Sequence, residues 1–223
     1  MSEAAENNIS SCPKGVIGPP PPLSIKLPKL SDLPKQCKPW SDDQLPVDIL
    51  LLTVEDCEFL ACYAYMRKPF KSYHKELGYV HFGNMGEDED EPLKIALMKC
   101  SEGSSGPGGS QTVVRNAVVQ LRPKAIYSAG CCVGLDRGRT QLGDVVVSSK
   151  LTTEDFRTPV GRDIANLVKH SADGWEAPLQ NPEAWKVHVH CDGEVLSGID
   201  QGTFERYHGF YPKAIAVEKE GKG

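Results

Sequence analysis

Val47-Asp-Ile-Leu-Leu-Leu-Thr53 constrains this chain more than any other stretch. A strand with one wet face alternates apolar and polar residues. A strand covered on both faces reads instead as an almost unbroken apolar run. The run therefore predicts a buried strand of the parallel type. The next residues supply a helix to follow it: over 55–66, Phe59, Cys62, Tyr63 and Met66 are spaced to share one helical face.

The same alternation continues. Strands are expected at 79–82, 93–98, 125–129, 144–148, 185–190 and 213–217, and helices at 110–121, within 156–170 from near Pro159, and at 200–209. An acidic loop at 86–91 and the turn Gly103-Ser-Ser-Gly-Pro-Gly-Gly109 punctuate the pattern. Strands and helices in alternation predict an α/β fold with a mixed, largely parallel central sheet.

Residues 1–46 differ in texture. Pro19-Pro-Pro-Pro22, Pro28, Pro34, Pro39 and Pro46 are interleaved with Lys and Ser. Proline removes backbone donors and restricts the residue before it, so neither helix nor ladder propagates. The expected organisation is a Pro-rich, disordered leader over 1–46 and a folded domain over 47–223. The leader fits a linker or a ligand for a proline-reading domain, and linkers are the commoner case.

Composition removes several classes. A net charge of −5 over 223 residues argues against a nucleic-acid binder, which needs a basic face. No apolar run is long enough to span a bilayer. The start, Met1-Ser-Glu-Ala-Ala-Glu-Asn-Asn8, lacks the basic and apolar parts of a secretory signal, so a cytoplasmic location is expected. The 8 cysteines show no dense, regular spacing, and adjacent Cys131 and Cys132 suit neither a zinc knuckle nor a mutual disulfide. Most are expected to be buried thiols.

Two turns and one strand end carry the chemistry. Gly103, Gly106 and Gly108 lie between a strand and a helix, where backbone N–H groups can meet an anion or polar ligand. The turn lacks Gly-Lys-Ser/Thr, so it is not a P-loop, and a ligand-free connector is about as common. Gly130-Cys-Cys-Val-Gly-Leu135 repeats the strand-then-glycine arrangement, and ligands of open α/β sheets collect at carboxyl ends of strands. The run Ala214 to Val217 delivers Glu218 and Glu220, which share a face if the extended backbone persists. His188 and His190 also alternate onto one face. Without an evident third ligand they read as ordinary strand histidines, and no metal site is expected.

In this order the pieces resemble the nucleoside phosphorylase and nucleosidase superfamily. The likeness is greatest to nucleosidases that cleave methylthioadenosine and S-adenosylhomocysteine. It rests on residues 48–59, 103–110, 122–135, 142–148 and 212–220. The resemblance implies a three-layer sandwich of the phosphorylase/hydrolase type, no cofactor, a nucleoside as small-molecule substrate and a homo-oligomer. It implies that Glu58 activates the attacking water and that Glu220, with Glu218 beside it, holds the ribose. Cys131, Cys132, Val133, Val195 and Leu196 would border the purine, and the 103–108 turn would lie on the nucleophile side. Carboxylates suit this chemistry because breaking an N-glycosidic bond develops positive charge on the ribosyl ring.

Hydrolysis is expected over phosphorolysis, the glycosyl transfer to phosphate. Residues 53–56 and Ser128 supply no arginine where the phosphorylases carry theirs, and Glu58 repels an anion. Arg115 and Arg122 keep phosphate open as a nucleophile. The chain departs from the family pattern at Lys219, where methionine is usual, and at Val133, where glycine is common. The family's general acid follows a further strand. No residue before Gly223 matches it, so a C-terminally incomplete domain is expected. Two kinds of function stay open: an N-glycosidase, or a nucleoside-binding or scaffolding module (or truncated isoform) without the chemistry.

Overall fold

The computed structural model describes residues 21–86, 90–103, 105–136, 138–148, 150–153, 157–197 and 211–218. In its first half the elements are β1 (Cys37–Lys38), β2 (Ile49–Thr53), α1 (Asp56–Ala64), β3 (Arg67–His74), β4 (Gly78–Met85), β5 (Leu93–Lys99) and α2 (Ser110–Leu121). Next come five short strands: β6 (Ala125–Ser128), β7 (Val133–Gly134), β8 (Val145–Val146), β9 (Lys150–Thr152) and β10 (Arg157–Pro159). The chain then forms α3 (Arg162–Lys169), α4 (Pro182–Trp185), β11 (Val189–His190), β12 (Glu194–Ser197) and β13 (Ala214–Glu218).

β2 occupies the position its composition demands. It is parallel to β5 on one side and to β6 on the other, in a sheet ordered β1-β3-β4-β5-β2-β6. Leu50 and Leu52 pack with Val80, Phe82, Ala96 and Met98 against Ala117 and Leu121 of α2. Ile49 and Leu51 pack on the opposite face with Ile95, Leu97 and Phe59 of α1. Fully burying one such side chain contributes about 1.5–3 kcal/mol. Helices on both faces of a mixed sheet give the expected three-layer α/β architecture.

Beyond β6, a second mixed sheet is ordered β10-β9-β12-β13-β7, and β11 pairs with β8. β12 is parallel to both β9 and β13, while β7 and β10 run antiparallel at the two edges. At the start of β12, Glu194 is buried and compensated by Lys150 Nζ at 3.2 Å and by the Thr152 hydroxyl. No helix among the described residues is long and apolar enough to cross a membrane.

Several sequence expectations are corrected. The leader does not stand apart from the domain over its described part. β1 pairs with β3, Trp40 packs on His74 and Phe82, and Leu23 bridges Leu179. Proline-spaced extended chain cannot sit in mid-sheet, but it can dock at an edge, as β1 does. The strand β3 was not among the expected strands, and it contains Pro69, which is unfavourable inside a strand. The structure absorbs that proline in a register shift between Arg67 and Phe70, with Lys68 at φ 50°. The strand expected at 185–190 shrinks to Val189–His190, because Pro182 opens α4 and Trp185 ends it. The thiols are less buried than expected. Among the described cysteines only Cys100 is buried, and Cys37, Cys57, Cys131 and Cys132 are exposed at turns and element ends. The helix expected at 200–209 lies outside the described residues.

Candidate functional site

The carboxyl ends of β5, β2 and β6 lie side by side, and each hands the chain to a segment with a role at this edge. After β5, Cys100 N–H donates to Thr53 C=O at 2.7 Å, and the glycine turn begins. The turn closes on itself: Ser101 N–H donates to Gly108 C=O and Gly109 N–H to Gly106 C=O, both at 2.9 Å. Gly108 is needed there. Its φ is 76°, and a Cβ would meet Ser101 Oγ at 2.7 Å. Gly103, Gly106 and Gly108 thus shape the loop that leads into α2.

After β2, residues Val54 and Glu55 turn the chain into α1. Glu55 and Glu58 form a reciprocal capping box, each side chain accepting from the other's backbone N–H. Glu58 does more than cap. Its Oε2 accepts from Val54 N–H at 3.0 Å and Glu55 N–H at 2.9 Å, and its Oε1 accepts from Cys131 N–H at 3.0 Å. The carboxylate therefore bridges the ends of neighbouring strands β2 and β6. Gly130 permits this approach, since a Cβ there would lie 3.2 Å from Glu58 Oε1. Asp56, at the start of α1, pairs with Lys99 at the end of β5. Lys99 is a cation at this edge that the sequence reading passed over; its position after an apolar strand was the available signal.

After β6, residues 130–133 carry the chain from one sheet to the other. Cys131 is held on Glu58, and Val133 pairs with Val217 of β13. Although both residues reach the surface, partial desolvation and then the Glu58 carboxylate push the Cys131 thiol up, and partial desolvation and then Glu218 do the same for Cys132. Both thiols are accordingly held in the neutral form. Glu218 ends β13 in register with Ser197 at the end of β12. Ser197 was not singled out from the sequence, and a small polar residue closing an apolar strand was the sole clue.

The expected base-bordering residues separate. Val133 is 49% exposed, while Val195 and Leu196 are buried. Val195 packs with Ile215, Ala216, Val146 and Leu151, and Leu196 with Ala214, Leu135, Tyr211 and Val217. Both side chains are committed to the core, so Val133 is the aliphatic residue of the three that presents surface. Glu220 lies outside the described residues.

The histidine pair has a structural partner. Asp144, with its side chain 4% exposed, accepts from His190 Nε2 at 2.9 Å, His188 N–H at 2.9 Å and Gln141 N–H at 3.0 Å. Burial pushes its carboxyl up, but these hydrogen bonds outweigh burial and hold it below the usual carboxylate range. Among the described residues no group of three or more His, Cys, Asp or Glu could hold a metal ion.

No family model matches the chain. It is 25% identical over 169 residues to a death domain-containing ATP nucleosidase from Amphimedon queenslandica; the match covers 62% of this chain and 32% of that protein. The chain thus spans about a third of the length of that relative. Among solved structures it is similar to S-adenosylhomocysteine nucleosidase from Streptococcus pyogenes, in complex with 5-methylthiotubericidin. There the TM-score is 0.59 at 15% identity, over 78% of this chain and 75% of that one. Purine nucleoside phosphorylase from Toxoplasma gondii, in complex with immucillin-H, matches with a TM-score of 0.56 at 13% identity, over 79% and 69% of the two chains. The chain has the fold of the nucleoside phosphorylase and nucleosidase superfamily.

Proposed function

We propose that this domain binds a purine nucleoside or nucleotide at the carboxyl ends of β2, β6 and β13 and hydrolyses its N-glycosidic bond, with Glu58 as the base. The observation that carries this is the way Glu58 is held. A carboxylate offers about four acceptor positions. Two on Oε2 and one on Oε1 are occupied by backbone N–H groups. One position on Oε1 remains, on a carboxylate fixed in orientation, and that is what a water-activating base needs.

In the proposed reaction the bond from C1′ to the base nitrogen breaks first; the base departs with the electron pair and takes a proton from solvent, and positive charge is left on the ribose ring. Glu58 accepts a proton from the attacking water as its oxygen bonds C1′, and Glu218 adds negative potential near the sugar. Water suits the nucleophile side better than phosphate. Glu55, Asp56 and Glu58 crowd the start of α1, and the nearby Lys99 is engaged with Asp56. Similarity to proteins named as ATP and S-adenosylhomocysteine nucleosidases supports the reading and widens the range of 5′ groups worth testing.

One observation favours a second reading, a nucleoside-binding module without turnover. The same three hydrogen bonds make Glu58 a structural clasp between strand ends, sufficient reason for a glutamate there. The deciding experiment incubates the chain with adenosine, inosine, methylthioadenosine and ATP, with and without phosphate, and tracks free base by chromatography. Release without phosphate that is lost in Glu58→Gln establishes the nucleosidase. Release only with phosphate refutes the choice of water, and saturable binding without release establishes the binding module.

A further inference from the structure

Among the described residues, the buried hydroxyls of Ser72 and Thr152 are satisfied. Ser72 Oγ donates to Lys38 C=O at 3.1 Å, and the Thr152 hydroxyl donates to Glu194. Thr53 Oγ1 and Ser197 Oγ, by contrast, have no hydrogen-bond partner although each residue is only 1% exposed. Both close a strand at its carboxyl end, β2 and β12 respectively. Thr53 precedes the amide of Val54 that anchors Glu58, and Ser197 is paired in register with Glu218. Residues paired in register project from the same face of a sheet, so the Ser197 hydroxyl and the Glu218 carboxylate stand side by side.

We propose that Ser197 is a specificity-determining residue that meets a ribose hydroxyl of the substrate alongside Glu218. The inference rests on the nucleoside-binding reading above. A carboxylate accepts hydrogen bonds and donates none, whereas a serine hydroxyl does both. A vicinal diol needs both kinds of partner: one O–H donates to Glu218, and an oxygen accepts from Ser197 Oγ–H. An orphaned buried hydroxyl is unfavourable until a partner arrives. In the ligand-free protein Ser197 therefore gains nothing from its oxygen, and its role becomes visible only with ligand bound.

The test measures binding by titration calorimetry in the Glu58→Gln background, which prevents turnover, with adenosine, 2′-deoxyadenosine and 3′-deoxyadenosine as probes. Adding Ser197→Ala is expected to weaken adenosine about tenfold while leaving one of the two deoxy probes unchanged. The melting temperature of the ligand-free protein should stay the same or rise, since the substitution removes an unpaired polar atom. Unchanged adenosine affinity overturns the inference. So does an equal loss for all three probes with a lowered melting temperature, the signature of a packing role. Failure of adenosine to bind with Ser197 intact, in the native chain and in Glu58→Gln alike, defeats the functional reading itself and the inference with it.

Discussion

Glu58→Gln separates the clasp from the base, because the two roles predict different numbers. The amide has one acceptor oxygen and one donor nitrogen. If the oxygen stays toward Val54 and Glu55, it keeps two N–H partners and sets its NH2 against Cys131 N–H, a donor facing a donor. The reverse orientation faces two donors and is worse. The favoured arrangement loses one charge-assisted hydrogen bond, roughly 1.5–3 kcal/mol, and the charge at the N-terminus of α1, about 0.3–1 kcal/mol. The sum, roughly 2–4 kcal/mol, lowers the melting temperature by about 4–16 °C for a chain of this size. Glu58→Ala, which leaves all three amides without an acceptor, should melt lower still. A loss of general base catalysis is about 10²–10⁴-fold in rate, far more than unfolding removes at 25 °C from a protein with ordinary stability. The assay pairs a melting curve with base release for each variant. If Gln and Ala both melt within about 1 °C of the native chain, Glu58 does not hold the strand ends. If melting falls as stated but release is untouched, Glu58 is a clasp and not the base.

Gly130→Ala should push the Glu58 carboxylate by a few tenths of an ångström, since the new Cβ would lie 3.2 Å from Oε1. Misplacement by about 1 Å can cost 10²-fold, so a roughly 3- to 10-fold fall in kcat with little change in melting temperature is expected. An unchanged kcat shows that the approach is not critical. His81 is buried against Phe59 and Tyr63, and burial, then Lys71, lowers its pKa to about 4. The unfolded chain takes up this proton near the ordinary value of 6.5 and the folded chain only near 4. Stability is therefore fully present above 6.5 and falls as the pH drops through this window, by about 3 kcal/mol in total. His81→Phe should flatten that slope in denaturant titrations at stepped pH, and an identical acid profile would show that another group carries it.

Local periodicity made part of this fold legible in the sequence. The apolar run of β2 fixed its place between two parallel strands, and the spacing of Phe59, Cys62 and Tyr63 announced α1. α2 matches its expected bounds at Ser110 and Leu121, because a glycine turn precedes it and Arg122 ends it in the left-handed region. β3 was hidden because its proline is tolerated here at a bulge, and a bulge is a property of the pairing and not of the strand. The site was legible in part for a similar reason. Glu58 stood out by resemblance, but its contact with Cys131 spans 73 positions, and no local pattern encodes it. Val195 and Leu196 were expected to border a base; their core packing depends on strands β9 and β13, whose register the sequence does not show.

Strand pairing also explains why a polar cluster forms at the carboxyl ends of β2 and β6. Within a ladder each backbone amide finds its partner in the neighbouring strand, so strand bodies have little to offer a ligand. At the carboxyl ends the ladder stops, and the chain must satisfy its amides by other means. Around Glu58 a carboxylate does this for Val54, Glu55 and Cys131. The cap therefore places negative charge at the mouth of the parallel sheet before any substrate enters. A ligand that develops positive charge finds its complement already built, and an anion such as phosphate meets repulsion at the same point. On the proposed reading, a preference for water over phosphate would follow from how the strand ends are closed. Replacing Glu58 by glutamine in a phosphate titration tests that link: removing the charge should relieve phosphate exclusion even as it abolishes water activation. Unchanged phosphate affinity would locate the selectivity elsewhere.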